Sequence, residues 1–436
     1  MELAGKSVVV LGAGRSGRAA AELALSKGAN VRVYDANPAA HFEAWKPEIV
    51  GYSGASEELG ATVASDVLVL SPGIDTYGSF VAAFSRLAGE VLGEIELASR
   101  YYQGKVIGIT GTNGKTTTTA LIEHLIQAAG FTCVACGNYG KPLAEVVLEG
   151  NDPDFVSLEL SSFQLETVKE FHADVAIWLN FSADHMDRYT SLQTYFDAKR
   201  QIFKNQTSRD TAVYRQGEDL GELVAQGVTF SSVSEDADYT LDGHQLLQHG
   251  KPILDMRDSA LRGSHNAENV MAAIAALEAL AISVAEVLPS LANFSPPEHR
   301  CEFVASVKGV DYINDSKATN IHALQSALNA LPGPIVLIAG GKEKGLEYEE
   351  LLPTLSKTVK HSVVFGEIAR KLEARFSLSV PVTAVETLDE AILVAHDVSA
   401  AGDTVLLSPG TSSFDQFPSY EARGKHFKKL VESLPL

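Results

Sequence analysis

The sequence predicts an α/β protein of three domains, and three observations carry that expectation. At 436 residues the chain is longer than one core ordinarily holds, since single domains run to about 100–200 residues. Apolar, β-rich runs end in glycine at three places: SVVVLGAG from residue 7, VIGITG from 106 and PIVLIAGG from 334. Runs without polar alternation belong to strands covered on both faces, as in parallel sheets flanked by helices. Helical patterns follow the first two directly, RSGRAAAELALSKG and KTTTTALIEHLIQAAG, and each stops at a glycine.

Taken in order, the first domain is expected to span 1–93, ending ahead of GEIELASRYYQGK, and the second 94–297. Within the second, ADYTLDGHQLLQHGKPILDM alternates about a DG turn and predicts a small antiparallel addition. HNAENVMAAIAALEAL reads as an amphipathic helix. Pro296 and Pro297 interrupt helix and strand alike in LANFSPPEHRCEF, so the third domain is set at 298–436.

A hydrophobic fraction of 45% and a charged fraction of 21% are globular values. With 35 basic and 55 acidic side chains the formal charge is −20. Such a field disfavours nonspecific attraction to nucleic acid or anionic lipid, and an anionic small substrate would need a local basic pocket. Cys133, Cys136 and Cys301 cannot form a disulfide framework. The C-x-x-C lies on a short strand entering a loop and has no second pair or histidine cluster to complete a zinc set, so buried or semi-buried thiols are expected. No stretch reaches the ~18 apolar residues that span a membrane, and no secretory segment is evident. The expectation is a cytoplasmic protein without membrane insertion or nucleic-acid binding.

Two glycine loops point to phosphate. Gly12, Gly14 and Gly17 follow the first strand, and Asp35 ends the next, VRVYD. Glycines there permit close approach of a pyrophosphate to a helix N-terminus, with the aspartate set to accept from a ribose. A dinucleotide, another diphosphate-bearing molecule, and a domain whose glycines only permit packing all fit. The second loop, GTNGKTTTT from Gly111, is more specific. Gly111 and Gly114 allow a nest of N–H groups around phosphate oxygens, Lys115 can reach the β and γ phosphates, and Thr116 offers a hydroxyl to Mg²⁺. The common P-loop has a glycine five residues before Gly114; that position is Ile109, and Gly108 is one residue out of register. The loop is read as ATP-binding. Hydride transfer has no use for a γ-phosphate site, whereas a ligase uses both loops.

Glu159, on the strand of VSLELSSFQLE, is placed to help Thr116 hold Mg²⁺, or is a strand-end charge. His185, between Asp184 and Asp187 in NFSADHMDRY, fits a metal ligand, a base or a loop histidine.

Over essentially its whole length the chain resembles the ATP-dependent Mur ligases of bacterial peptidoglycan synthesis, relatives of folylpolyglutamate synthetase. GAGRSG, SPG, GTNGKTTTT, ELSSFQLE, DHMDRY, HNAEN, HRCE, NDSKATN, IAGGKEKG and LLSPGTSSFDQF carry the resemblance. SSFQLE and SSFDQF favour the D-glutamate-adding branch, and the family's shorter loop accounts for Gly108. The resemblance implies an N-terminal Rossmann-like domain, a central P-loop ATPase-like domain and a C-terminal Rossmann-like domain. It further implies UDP-N-acetylmuramoyl-L-alanine as donor, D-glutamate as acceptor, an acyl-phosphate intermediate and a monomer.

The same resemblance assigns residues. Gly14, Arg15, Ser16, Asp35, Ser71, Pro72, Gly73, Asn138 and Ser161 would meet the UDP substrate. Gly111, Thr112, Asn113, Gly114, Lys115, Thr116 and Thr117 would hold ATP phosphates, and Asn266, Asn269, Arg300 and Asp315 other parts of the nucleotide. Thr116, Glu159, His185 and Lys199 would surround a pair of Mg²⁺ ions, with Lys115, Glu159, His185 and Lys199 catalytic. Lys199 would be N-carbamylated by CO₂ or bicarbonate, which turns a cation that repels metals into an anionic oxygen ligand. Lys317, Thr319, Lys344, Ser413 and Tyr420 would receive the acceptor dicarboxylate.

Overall fold

A computed structural model describes residues 1–434 other than 44, 187, 260, 262, 332, 346 and 347, with 330 described by its backbone alone. Asp187 of the DHMDRY stretch therefore lies outside the described residues. The described residues form three sheets, of five, nine and six strands.

The N-terminal sheet comprises β1 (Ser7–Leu11), β2 (Asn30–Asp35), β3 (Val50–Ser53), β4 (Ser65–Leu70) and β5 (Ala88–Gly93), all parallel, in the order β3-β2-β1-β4-β5. The expected strand from residue 7 is β1, and the expected helix follows as Arg15–Ser26, with Gly28 at positive φ just beyond its cap. Val8 and Val10 bury in one cluster and Val9 and Leu11 in another. Both faces of β1 are therefore dry, which is why the run shows no polar alternation.

The central sheet runs β14-β13-β12-β11-β10-β9-β6-β8-β7. Its strands are β6 (Lys105–Thr110), β7 (Cys133–Gly137), β8 (Phe155–Glu159), β9 (Val175–Trp178), β10 (Thr211–Arg215), β11 (Gln226–Ser231), β12 (Tyr239–Asp242), β13 (Gln245–Gln248) and β14 (Lys251–Asp255). Pairing is parallel from β7 to β12, and β12-β13-β14 form the predicted antiparallel addition around Gly243. Cys133 and Cys136 lie buried on β7, and burial pushes the Cys133 thiol up to about 12, as buried, unreactive thiols require.

The expected amphipathic helix is a correction. A helix covers Ser264–Ala279, but every residue from Ala267 to Leu277 is buried. Its alanines are small enough to be packed on all sides, so the polar face that amphipathicity demands is missing.

The C-terminal sheet is β15 (Glu302–Val307), β16 (Val310–Asn314), β17 (Ile335–Gly340), β18 (Val359–Phe365), β19 (Val382–Ala384) and β20 (Thr404–Leu407), ordered β15-β16-β20-β17-β18-β19. Only β15 is antiparallel to its neighbour. Along β17, Ile335 and Leu337 enter one apolar cluster and Val336 and Ile338 another. Full burial of each such side chain contributes about 1.5–3 kcal/mol.

The chain divides into two compact units. The first holds residues 1–181, 193–258 and 268–294, and so contains the N-terminal and central sheets; the second holds 182–192, 259–267 and 295–436. Within the first unit, helix Arg15–Ser26 packs on helices Glu94–Ser99 and Leu143–Leu148. Buried Glu96 accepts from the N–H groups of Lys169, Glu170 and Phe171 and pairs with Arg100, tying helix Glu94–Ser99 to the 169–171 segment. No helix among the described residues is long and apolar enough to cross a membrane.

Candidate nucleotide and acceptor sites

The loop 111–114 joins β6 to the 14-residue helix Lys115–Ala128 at the carboxyl end of the central sheet. Gly111 and Gly114 have φ of 149° and 85°. A Cβ on Gly114 would lie 2.4 Å from Asn269 Oδ1, so only glycine leaves room for that side chain. Asn180, just beyond β9, pins the loop: its carbonyl accepts from Thr112 N–H at 3.0 Å, its Oδ1 from Asn113 N–H at 2.9 Å, and its Nδ2 donates to Asn113 O at 3.1 Å. Sequence reasoning missed Asn180; the signal was its place at a strand's carboxyl end beside the loop's own strand. Lys115 Nζ curls back onto the carbonyls of Gly111 and Thr112 at 2.7 and 2.8 Å, and Thr116 and Thr117 are buried in the first turn. Backbone N–H groups at the start of a helix this long favour an anion.

Lys199 closes the helix Leu192–Arg200 and is 2% exposed. Its Nζ donates to Gly111 O at 2.9 Å and lies 4.8 Å from the centre of the Tyr195 ring. A residue with the look of a surface lysine is thus brought to the phosphate loop. Glu159 ends β8 opposite Ile109, is buried, and accepts from Asn138 Nδ2 at 2.7 Å, while Asn138 N–H bonds the Glu159 carbonyl at 2.9 Å. Asn269 receives Thr118 Oγ1 at 3.2 Å. The glycine cradle, the helix start and the lysine fit a nucleotide's phosphate chain; the Thr116 hydroxyl and Glu159 carboxylate are oxygen donors of the kind a hard divalent cation prefers. His185, at φ 56°, and Asn266 belong to the second unit.

In the N-terminal sheet the strand order reverses between β1 and β4, where α/β sheets bind ligands at the carboxyl ends. Gly12, at φ 96°, and Gly17 form the turn, and a Cβ on Gly17 would fall 1.9 Å from Gly12 O. Asp35 braces this loop, accepting from Ala13 N–H at 2.7 Å and Asn37 N–H at 2.8 Å. Ser71, at the end of β4, donates to Gly12 O at 3.3 Å, with Pro72 half-buried and Gly73 exposed beside it. Gly14 is exposed and Ser16 half-buried at the helix start. Arg15 turns to the central domain: Nε and Nη2 bond Glu145 at 3.0 and 2.8 Å, and Nη1 bonds Gly140 O at 2.9 Å. Ser161 caps helix Ser162–Leu165 in a reciprocal box with Gln164.

In the second unit, Asp184 is buried beneath three donors. His185 N–H and Lys344 Nζ reach Oδ1 at 2.9 and 3.3 Å, and Asn320 Nδ2 reaches Oδ2 at 3.1 Å. Burial opposes its ionisation, but His185, Lys344 and Asn320 outweigh it and hold the carboxyl below its ordinary value. Lys344 Nζ also lies 3.4 Å from Thr319 O. Lys317 Nζ sits 5.2 Å from the centre of the Tyr420 ring, Ser413 is buried, and Arg300 is half-buried. Asp315 is buried and accepts from Ser408 Oγ at 2.8 Å and Cys301 N–H at 3.2 Å. Burial pushes its carboxyl up to about 6 against those bonds.

Among the described residues one other trio could gather a cation, His172, Asp174 and Asp210. It lies at the amino ends of β9 and β10, the opposite edge from the phosphate loop, and Lys105 and Thr207 already bond its carboxylates.

An α/β protein with a phosphate cradle in its middle sheet and a basic cluster in a separate C-terminal sheet has the parts of a nucleotide-dependent ligase. The chain belongs to the Mur ligase family. Residues 109–277 match the Mur ligase middle domain and 299–410 the Mur ligase glutamate ligase domain. It is 37% identical to the UDP-N-acetylmuramoylalanine–D-glutamate ligase of Acidobacterium capsulatum, over 99% of this chain and 97% of that one. To the enzyme of the same name from Chlorobium phaeobacteroides it is 39% identical, over 99% and 98%. The fold matches the pseudomurein peptide ligase type C of Methanothermus fervidus with a TM-score of 0.63 at 18% identity, covering 99% of this chain and 100% of that one. It matches the UDP-N-acetylmuramate–alanine ligase of Thermotoga maritima at 0.63 and 21%, covering 98% and 99%. The expected three α/β domains are those of this family.

Proposed function

We propose that this protein is an ATP-dependent amide ligase that adds D-glutamate to UDP-N-acetylmuramoyl-L-alanine in peptidoglycan precursor synthesis, working in the cytoplasm as a monomer, with domains 1–93, 94–297 and 298–436. The observation that carries the reading is Lys115 and Lys199 converging on the glycine loop of a chain similar along its whole length to D-glutamate ligases.

The donor's terminal carboxylate attacks the γ-phosphorus of ATP; a new P–O bond forms, the bond to ADP breaks, and an acyl phosphate results. The D-glutamate amine then attacks the acyl carbon, the C–O bond to phosphate breaks as the C–N bond forms, and the amine proton leaves to solvent or a base. Both reactants of the first step are anions, so cations are needed where charge develops. A pair of Mg²⁺ ions, when bound, supplies that neutralisation. In this reading Gly111, Thr112, Asn113, Gly114 and Thr117 cradle phosphates, and Lys115 uncurls from the loop carbonyls to meet them. Thr116, Glu159, His185 and a carbamylated Lys199 would hold the metals. Asn266, Asn269, Arg300 and Asp315 serve the rest of the nucleotide. Gly14, Arg15, Ser16, Asp35, Ser71, Pro72, Gly73, Asn138 and Ser161 serve the UDP substrate, and Lys317, Thr319, Lys344, Ser413 and Tyr420 the acceptor.

The test is phosphate release from ATP and Mg²⁺ with UDP-N-acetylmuramoyl-L-alanine plus D-glutamate, L-glutamate or neither, with mass detection of product. Release and a one-glutamate gain with the D-isomer alone is expected. No turnover with bicarbonate and metal supplied would overturn the assignment.

A further inference from the structure

Arg423 lies one turn into the helix Tyr420–Glu432, in YEARGKHF, where a sequence reading sees an ordinary helix-surface arginine. In the structure none of it reaches solvent. Its Nε donates to Ser316 Oγ at 3.0 Å, and its Nη2 to the carbonyls of Ser316 at 2.8 Å and Thr411 at 3.2 Å. Ser316 Oγ passes the connection on, donating to Tyr420 O at 2.9 Å. Among the described residues Nη1 has no hydrogen-bond partner; it faces Gly341, where a Cβ would lie 3.1 Å from it and 2.3 Å from Ser412 O. Gly424, the next residue, lets the helix close on this region, since a Cβ there would lie 2.4 Å from His299 Nδ1.

These partners have a pattern. Ser316 precedes Lys317, Thr411 stands two before Ser413, Gly341 three before Lys344, and Tyr420 opens the helix. One guanidinium thus spans three loops and a helix start, and each carries a residue assigned above to the acceptor amino acid. Burying a guanidinium is costly, and bonds that leave one nitrogen unbonded recover the cost incompletely. Burial pushes this guanidinium down to about 9, with Asp415 and Asp315 opposing the shift. Asp415 sits on the same loop as Ser413, and its buried Oδ1 also lacks a hydrogen-bond partner among the described residues. A rigid planar fork that donates to carbonyls from two loops fixes their spacing in a way a flexible ammonium does not.

We propose that Arg423 is a positioning residue for the acceptor amino acid: it holds the 316–319, 341–344 and 411–413 loops at the spacing that lets Lys317, Thr319, Lys344 and Ser413 converge on a dicarboxylate. The inference rests on the reading of D-glutamate as acceptor.

The experiment is steady-state kinetics of full-length Arg423→Met, Arg423→Lys and Ser316→Ala with each substrate varied in turn, alongside thermal melting. For Arg423→Met the KM for D-glutamate should rise at least tenfold, kcat should fall less than threefold, and KM for ATP and the UDP substrate should stay within twofold. Arg423→Lys should recover part of the loss, and Ser316→Ala should raise the D-glutamate KM at least threefold. A folded Arg423→Met enzyme with an unmoved D-glutamate KM, or a loss confined to kcat, overturns the proposal. Should Arg423→Met fail to fold, an unmoved D-glutamate KM in Ser316→Ala does the same. Absence of D-glutamate-dependent turnover in the unsubstituted enzyme overturns the functional reading, and this proposal with it.

Discussion

The side-chain nitrogens of Lys115 and Lys199 meet on one acceptor, the carbonyl oxygen of Gly111, at 2.7 and 2.9 Å. Two cations brought to one oxygen oppose each other, and the proposed conversion of Lys199 to a carbamate would remove the opposition and leave an anionic oxygen donor at the loop. Lys199→Met should therefore lower kcat for phosphate release on the order of a hundred- to a thousandfold. Enzyme stripped of CO₂ should lose activity and regain it on adding bicarbonate. Full activity in either case would refute the carbamate role.

Gly114 faces Asn269 too closely for any side chain, and its φ is 85°. Gly114→Ala has to displace the asparagine and adopt a left-handed backbone that costs an L-residue about 1–2 kcal/mol. Calorimetric titration should show ATP binding weakened at least tenfold, with binding of the UDP substrate little changed.

Lys344 and Asp184 are largely buried together, with side chains 13% and 8% exposed. Removing the cation alone leaves a buried carboxylate short of a partner, so Lys344→Met should cost about 3–5 kcal/mol in urea unfolding. Adding Asp184→Asn should recover much of that loss. Strictly additive effects would show that the pair is not coupled.

Glu94 starts the helix Glu94–Ser99 and accepts from Ala144 N–H at 2.7 Å, and its buried Oε2 has no hydrogen-bond partner among the described residues. Burial pushes its carboxyl from the ordinary 4.5 up to about 7. The folded state therefore binds the proton more tightly than the unfolded state, so Glu94 costs nothing below pH ~4.5, and its cost grows as pH rises to ~7. The full cost is up to about 3 kcal/mol. Glu94→Gln should gain melting temperature relative to the parent between pH 5 and 8. A constant difference across that range would sink the argument.

The parts legible in the sequence were those set by local chemistry. The runs at residues 7, 106 and 334 were readable because both faces of β1, β6 and β17 are dry, and the DG turn because Gly243 takes positive φ. β3, whose four residues are exposed or half-exposed, gave no apolar signal. The phosphate loop was visible in its glycines and lysine, whereas Asn180 and Arg423 were not. What they do depends on strands and loops distant in sequence, and neither residue type reveals its burial. Lys199 needed family resemblance for the same reason.

Residues 182–192 and 259–267 belong to a unit whose remainder begins only at 295. At a synthesis rate of roughly 5–20 residues per second, the earlier segment is made about 5–20 s before the first of those later residues, and longer before the last. Once residue 294 has emerged the first unit has all of its residues, while those two stretches still await most of their own core. A chain truncated at residue 294 and released would display them both, with the residues they pack against in the second unit never made.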